Sequence, residues 1–226
     1  MRTDDHTFHT EYLTQDWHWD VDSKSTHAKL SDSNLSCYFF SDPLADSNSS
    51  GGVCGSKGFH HGEHYWEVVF TEALQGKTLR IGVATANSYY QLSHKKFLGS
   101  DGESWGLCYK GTSWHRGVSK QYCNPFYEAN TVIGCHLNLY KGTLSFYKNG
   151  MLLGVAFTGL DSAAGDLFPV VCSAVAENEL ELCHRSCRFI SLQEQCCMKI
   201  LKCLQCRGNA GELPLPALLG RRLNEM

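Results

Sequence analysis

From about Trp17 to Cys183 the chain repeats one theme: short β-branched and aromatic runs separated by turns rich in Gly, Asn, Asp or Ser. The runs are Leu35–Phe40, His64–Phe70, Leu79–Ala86, Trp105–Tyr109, Thr131–Tyr140, Thr143–Lys148, Met151–Phe157, Phe168–Val175 and Leu180–His184. Strands at this spacing predict an antiparallel sandwich or barrel. Two hairpins are well signalled. Lys141-Gly142 stands between Leu137 and Leu139 on one side and Leu144 and Phe146 on the other, which predicts a tight turn. Asn149-Gly150 follows Tyr147-Lys148 and precedes Met151-Leu152; both turn residues tolerate the positive φ of a type I′ turn. A meander of this kind leaves no room for the βαβ units of nucleotide-binding folds. Residues 1–16 are polar, lack a period and read as a loose lead-in.

The pattern changes after Ser186. Residues 191–206 contain no Gly or Pro and only one β-branched residue, Ile200, and they are rich in Leu, Gln, Lys, Glu and Met. Ser191 with Glu194 three residues later makes a capping box, and Gly208 and Gly211 bracket the helix end. At 100° per residue Leu192, Cys196, Ile200 and Cys203 share one stripe, while Cys197, Met198, Leu201 and Leu204 lie on the other side. A helix apolar on two faces is either buried as the last element of one domain, or packs on its own domain by one face and offers the other to a partner. Leu213-Pro214-Leu215-Pro216 then predicts an extended segment, because Pro disfavours helix at the residue before it, and residues 217–223 fit a last short helix.

Charge divides the chain at the same place. The net charge is -3, too near balance for a protein built to hold nucleic acid by bulk electrostatics. Residues 183–226 carry seven Lys/Arg and three Glu, a net of +4, so the rest carries -7. Such a break marks two units with different partners. The first ten residues hold no apolar run and no stretch approaches a membrane span, so the expectation is an intracellular protein, cytoplasmic and/or nuclear, with its 12 cysteines mostly reduced. The Asn-X-Ser matches at Asn34 and Asn48 then meet no glycosylation machinery.

Candidate chemistry adds little. Six cysteines fall within 183–206, including Cys203-x-x-Cys206, but a zinc ribbon needs two such pairs separated by a loop. His60, His61 and His64, and likewise His6, His9 and His18, have no spaced carboxylates or cysteines beside them. The expectation is no metal and no cofactor. The hydrolase elbow, the P-loop and G-x-G-x-x-G are absent. Cysteine catalysis has no local signature, so a non-catalytic chain is expected.

Two sets of residues carry a family resemblance. Ser191-Leu192-x-x-x-Cys196-x-x-x-Ile200 resembles the BC box, the elongin-C-binding element of SOCS-box proteins, and Leu213-Pro214-Leu215-Pro216 resembles a cullin-5 box. Gly62-Glu63-His64-Tyr65-Trp66-Glu67-Val68 is similar to a characteristic strand of SPRY domains. So are Ile81-Gly82-Val83-Ala84, Ser104-Trp105-Gly106, Leu144–Gly150 and Phe168-Pro169-Val170-Val171. Together they resemble the SPRY domain-containing SOCS box family. The resemblance implies a mainly β fold, a SPRY (B30.2-like) antiparallel β-sandwich over 17–185, followed by a small α-helical SOCS box over 186–226 with its BC box at 191–200 and cullin box at 213–216.

In that family the implied function is substrate recognition for an elongin B/C–cullin-5 RING ubiquitin ligase; the alternative is a plain SPRY interaction module without ligase recruitment. Leu192, Cys196 and Ile200 are then the elongin-C contacts, and Leu213, Pro214, Leu215 and Pro216 the cullin contacts. The RING subunit supplies E2 recruitment. A shallow loop pocket binds short Asn-rich degrons in the relatives. Aligned here, it comprises Ser41, Pro43, Ala45, His94, Val175, Ala176 and Glu177. Ser41 stands where the relatives carry Arg, His94 where they carry Tyr, and Ala176-Glu177 where they read Trp-Gly. Arg, Tyr and Trp supply the planar donors and rigid contact area that dominate shallow sites, so a different peptide is implied. Glu177 with His94 favours an amide- or base-bearing one. Trp66 and Trp105 are read as core.

Overall fold

The computed structural model describes residues 12–40, 50–74, 78–88, 97–174 and 177–203. These fall into two compact units, one spanning Tyr12–Arg188 and one beginning at Phe189. The first is built from fourteen described strands: β1 (Leu13–Thr14), β2 (Ala28–Leu30), β3 (Ser36–Phe39), β4 (Ser50–Cys54), β5 (Glu63–Phe70), β6 (Thr78–Thr85), β7 (Ser104–Cys108), β8 (Thr112–His115), β9 (Val118–Gln121), β10 (Thr131–Asn138), β11 (Thr143–Lys148), β12 (Met151–Thr158), β13 (Leu167–Ala174) and β14 (Asn178–Arg188). One sheet runs β12-β11-β10-β5-β14-β3-β2, with β1 paired to β14; the other runs β4-β13-β6-β7-β8-β9. Every pairing is antiparallel.

Alternation sets which side chains meet between the sheets. Trp66, Val68 and Phe70 of β5, Ile133, Cys135 and Leu137 of β10, and Leu144 and Phe146 of β11 face Leu79, Ile81 and Val83 of β6 and Leu107 of β7, all but excluded from water. Each such side chain contributes about 1.5–3 kcal/mol when fully buried, and a one-residue slip would turn every one of them outward. Trp17 and Trp19, ahead of the first predicted strand, join this core. Trp17 sits edge-on to Trp19, Phe59 and Trp66 at about 6 Å. Trp66 and Trp105 are core as expected, at 1% and 6% exposure.

All nine sequence-read runs coincide with strands, but five strands lie outside them. β4 is Ser-Gly-Gly-Val-Cys and gives no β-branched run; β1 and β2 are two and three residues long. β1 takes Leu13–Thr14, within the segment read as a lead-in, into the sheet opposite Ser186 and Cys187. The β8–β9 hairpin turns at Arg116-Gly117, with φ of 54° and 71°. Asn149-Gly150 turns as expected, at φ 49° and 79°, with Lys148 paired to Met151. The Lys141-Gly142 turn is a correction. Asn138 pairs with Thr143, so the loop is four residues, 139–142, and only Gly142 is left-handed, at φ 65°. The Asn138 side-chain oxygen accepts the Lys141 backbone N–H at 2.9 Å and closes this wider turn.

Candidate functional site

Three loops carry the expected pocket, and the sheet register decides where their ends lie. β3 ends at Phe39, paired with Asn178 at the start of β14. β4 begins at Ser50, paired with Ala174 at the end of β13. The strand ends that flank 41–49 and 175–176 therefore lie at the same end of the sandwich. Gly51 makes this junction close: a Cβ there would lie 2.6 Å from Phe39 Cδ1. Asn178 Nδ2 donates to Ser173 Oγ at 3.0 Å across the root of the third loop.

The second loop returns at Phe97-Leu98, which lie on the outer face of β6 and β13. Leu98 packs with Cys54, Ala84, Val170 and Cys172, and its N–H approaches Cys172 Sγ at 3.5 Å. Two paired glycines, Gly82 and Gly106, clear the ground: a Cβ on Gly106 would stand 3.0 Å from the Leu98 side chain. Arg80 clamps the segment. It is 6% exposed, donates from Nη1 to the Leu98 carbonyl at 2.7 Å, and its guanidinium lies 3.8 Å over the Trp114 ring. Sequence reasoning missed Arg80. The legible signal was a cation in the middle of the apolar strand Thr78–Thr85.

Of the expected pocket residues only Glu177 lies among the described residues, and it is exposed. Desolvation, then the Glu177 carboxylate with a hydrogen bond to it, and then Glu72 and Glu179, push the Tyr38 hydroxyl above its ordinary pKa. Tyr38 stands between Glu179 on β14 and the exposed Lys29 on β2, so the described side chains here carry both signs, with Phe40 exposed beside them. Ser41, Pro43, Ala45, His94, Val175 and Ala176 lie outside the described residues, as do Leu213, Pro214, Leu215 and Pro216.

In the second unit, α1 (Leu192–Cys203) begins at the expected capping box. The Glu194 carboxylate accepts the Ser191 backbone N–H at 2.9 Å, and the Glu194 N–H donates back to Ser191 Oγ at 3.2 Å. The two stripes read from the helical wheel differ in exposure. Leu192 is 76% exposed, Cys196 is exposed and Ile200 half-buried, whereas Cys197 is fully buried.

Burial pushes the Cys37 thiol up to about 12 and holds the Cys54 and Cys135 thiols well above their ordinary value, far from the thiolate that a nucleophile or metal ligand requires. Among the described residues no three His, Cys, Asp or Glu side chains are grouped to hold a metal ion, and no helix is long and apolar enough to cross a membrane.

The chain can be set beside known proteins. The SPRY domain model matches residues 63–185. SPRY domain-containing SOCS box protein 3 of Xenopus tropicalis is 33% identical over 96% of this chain, and that of Xenopus laevis 34% identical over 89%. The chain spans 63% and 55% of their lengths. Among solved structures, the SPRY domain of human HERC1 superposes with a TM-score of 0.59 at 19% identity, over 74% of this chain and 97% of that domain, a likeness of fold. With the paired antiparallel sheets, the helix that follows them and these matches taken together, the chain belongs to the SPRY-domain proteins, and among them to the SPRY domain-containing SOCS box family.

Proposed function

We propose that the chain is the substrate-recognition subunit of an elongin B/C–cullin-5 RING ubiquitin ligase, working in the cytoplasm or nucleus without catalytic chemistry of its own. The observation that carries this reading is the exposure of α1: Leu192 projects into solvent on the same stripe as Cys196 and Ile200, while the opposite stripe holds the buried Cys197. A large apolar side chain left in water at the first turn of a capped helix suits a knob for a partner's pocket, and a small residue one turn later lets a partner helix approach. Leu213–Pro216 then form the cullin contact, and two prolines in four residues narrow the backbone freedom that binding must remove.

The target is captured at the other unit, by the loops 41–49, 89–96 and 175–177. The shared end at which the strands flanking 41–49 and 175–176 stop and start supports capture of a short degron there, and the exposed Glu177 favours one bearing amides or bases. The deciding experiment is co-purification of elongins B and C with the tagged full chain and with its Leu192→Ala/Cys196→Phe variant. Wild-type capture lost in the variant, with the thermal transition of the sandwich unchanged, supports the reading. Retention of elongins by the variant, or their absence from wild type, leaves a SPRY interaction module without ligase recruitment.

A further inference from the structure

A second recognition surface lies where the free edges of the two sheets approach each other. β9 is the outermost strand of one sheet and β12 of the other. Between them is a cleft of about 380 Å³ lined by Trp105, Ser113, His115, Arg116, Val118, Lys120, Ala156, Phe157 and Thr158. Its wall is aromatic: His115 stacks on Trp105 at 4.9 Å with the planes 8° apart, and Phe157 meets His115 edge-on at 6.4 Å. The ring of His115 is fixed from behind, its Nδ1–H donating to the Ser104 carbonyl at 2.9 Å. Its rim is cationic. Arg116 sits at the turn of the β8–β9 hairpin, and Lys120 follows Val118 by two residues, hence on the same face of β9.

Charge decides what such a cleft accepts. None of its lining residues is acidic, and among the described residues neither Arg116 nor Lys120 has an ion-pair partner. The nearby carboxylates are engaged elsewhere: Asp101 accepts from Ser88 and Ser104, and Glu103 accepts from Thr85. Val118, 59% exposed, adds an apolar lip, continued on the facing edge by Val155 at 56%.

We infer that this cleft binds a partner protein through an acidic segment, with an aromatic or aliphatic side chain seated against Trp105, His115 and Phe157 and flanking Asp or Glu carboxylates on Arg116 and Lys120. It shares no residue with the degron loops and lies toward the other end of β6 from the roots of the first and third. Ala174, at the root of the third loop, pairs with Thr78 at one end of β6, whereas Trp105 pairs with Val83 five residues along, about 17 Å away. A target bound at both surfaces would be gripped at two points, and linked contacts raise avidity beyond either alone.

The test uses the isotope-labelled full chain and two capped pentapeptides, Asp-Glu-Phe-Glu-Asp and Lys-Lys-Phe-Lys-Lys, titrated to millimolar concentration and followed by amide and indole resonances. Saturable shifts of the Trp105 indole and of the Val118 and Lys120 amides by the acidic peptide alone are expected. Arg116→Glu/Lys120→Glu should weaken that binding tenfold or more, and so should Val118→Glu, an exposed edge substitution that leaves the turn untouched. Equal response to both peptides, no saturable shift at these resonances, or full binding by a folded charge-reversed variant would each overturn the inference.

Discussion

Glu63 and His64 open β5 side by side, and both are buried, at 8% and 3% exposure. The Glu63 carboxylate accepts from Asn138 Nδ2 at 2.7 Å and lies 3.9 Å from His136 Nε2 and 3.7 Å from Arg188 Nη1. His136 foremost, then Arg188 and Asn138, hold its carboxyl below the ordinary range against the opposing effect of burial. Its contribution is therefore present above the unfolded carboxyl pKa of about 4.3 and lost as pH falls through the lower folded value. Glu63→Gln should cost about 1–3 kcal/mol at pH 7 by removing a charge-assisted bond, read from denaturant midpoints. His64 behaves oppositely in charge. Its Nε2–H donates to the His61 carbonyl at 2.8 Å, its Nδ1 faces the Gln15 side-chain amide at 3.3 Å, and its ring stacks on Phe59 at 3.8 Å. Burial lowers its pKa to about 4. Between about 6.5 and 4 the unfolded chain takes up a proton that the folded one refuses, so stability drops across that window as pH falls. Calorimetry should show the loss in wild type and a flatter profile in His64→Gln; an unchanged slope would assign the titration to another group.

Hairpins and close approaches set the tolerance of individual elements. Gly150 stands between two strand runs and Gly82 inside one, and the structure sets what each tolerates. A Cβ at Gly150 meets nothing within 4 Å, so Gly150→Ala pays only for φ 79°, about 1–2 kcal/mol. A Cβ at Gly82 would stand 2.0 Å from the Trp105 carbonyl oxygen, a clash with backbone that only a shift of the β6–β7 pair relieves. Gly82→Ala should therefore destabilise by at least twice as much as Gly150→Ala, compared by urea midpoints. At the helix, the reciprocal hydrogen bonds of Ser191 and Glu194 fix the first turn, where Leu192 is displayed.

At the scale of the whole molecule the two units are expected to work separately. With target capture assigned to the loops as proposed, Val175→Asp or Ala176→Arg should abolish it with elongin binding intact, because a shallow site depends on a few contacts worth about 2 kcal/mol or more each. Replacing Leu213, Pro214, Leu215 and Pro216 by Ala should reduce cullin-5 association and spare both elongin and target. Parallel pull-downs of the three partners check this; a pocket variant that loses elongin, or a box variant that loses the target, would join the two activities in one surface.

Local pattern determined a great deal of this protein. The 2-residue alternation of Trp66, Val68 and Phe70 and of Leu144 and Phe146 settled which side chains face inward, since a strand's faces follow from chain geometry alone. Asn149-Gly150 set its turn and Ser191 with Glu194 its cap for the same reason: each depends on neighbours a few residues apart. The wheel likewise separated the Leu192 stripe from the Cys197 stripe. What only the tertiary structure decided are the relations between segments far apart in the chain. Ser-Gly-Gly-Val-Cys has no strand pattern of its own and becomes β4 because β13 supplies a ladder beside it. Arg80 is a cation inside an apolar strand whose partners, Trp114 and the Leu98 carbonyl, come from segments far along the chain. The cleft of Trp105, Arg116, Lys120 and Phe157 belongs to the edges of two different sheets. No periodicity encodes such a meeting, because it exists only once the register and stacking of both sheets are fixed.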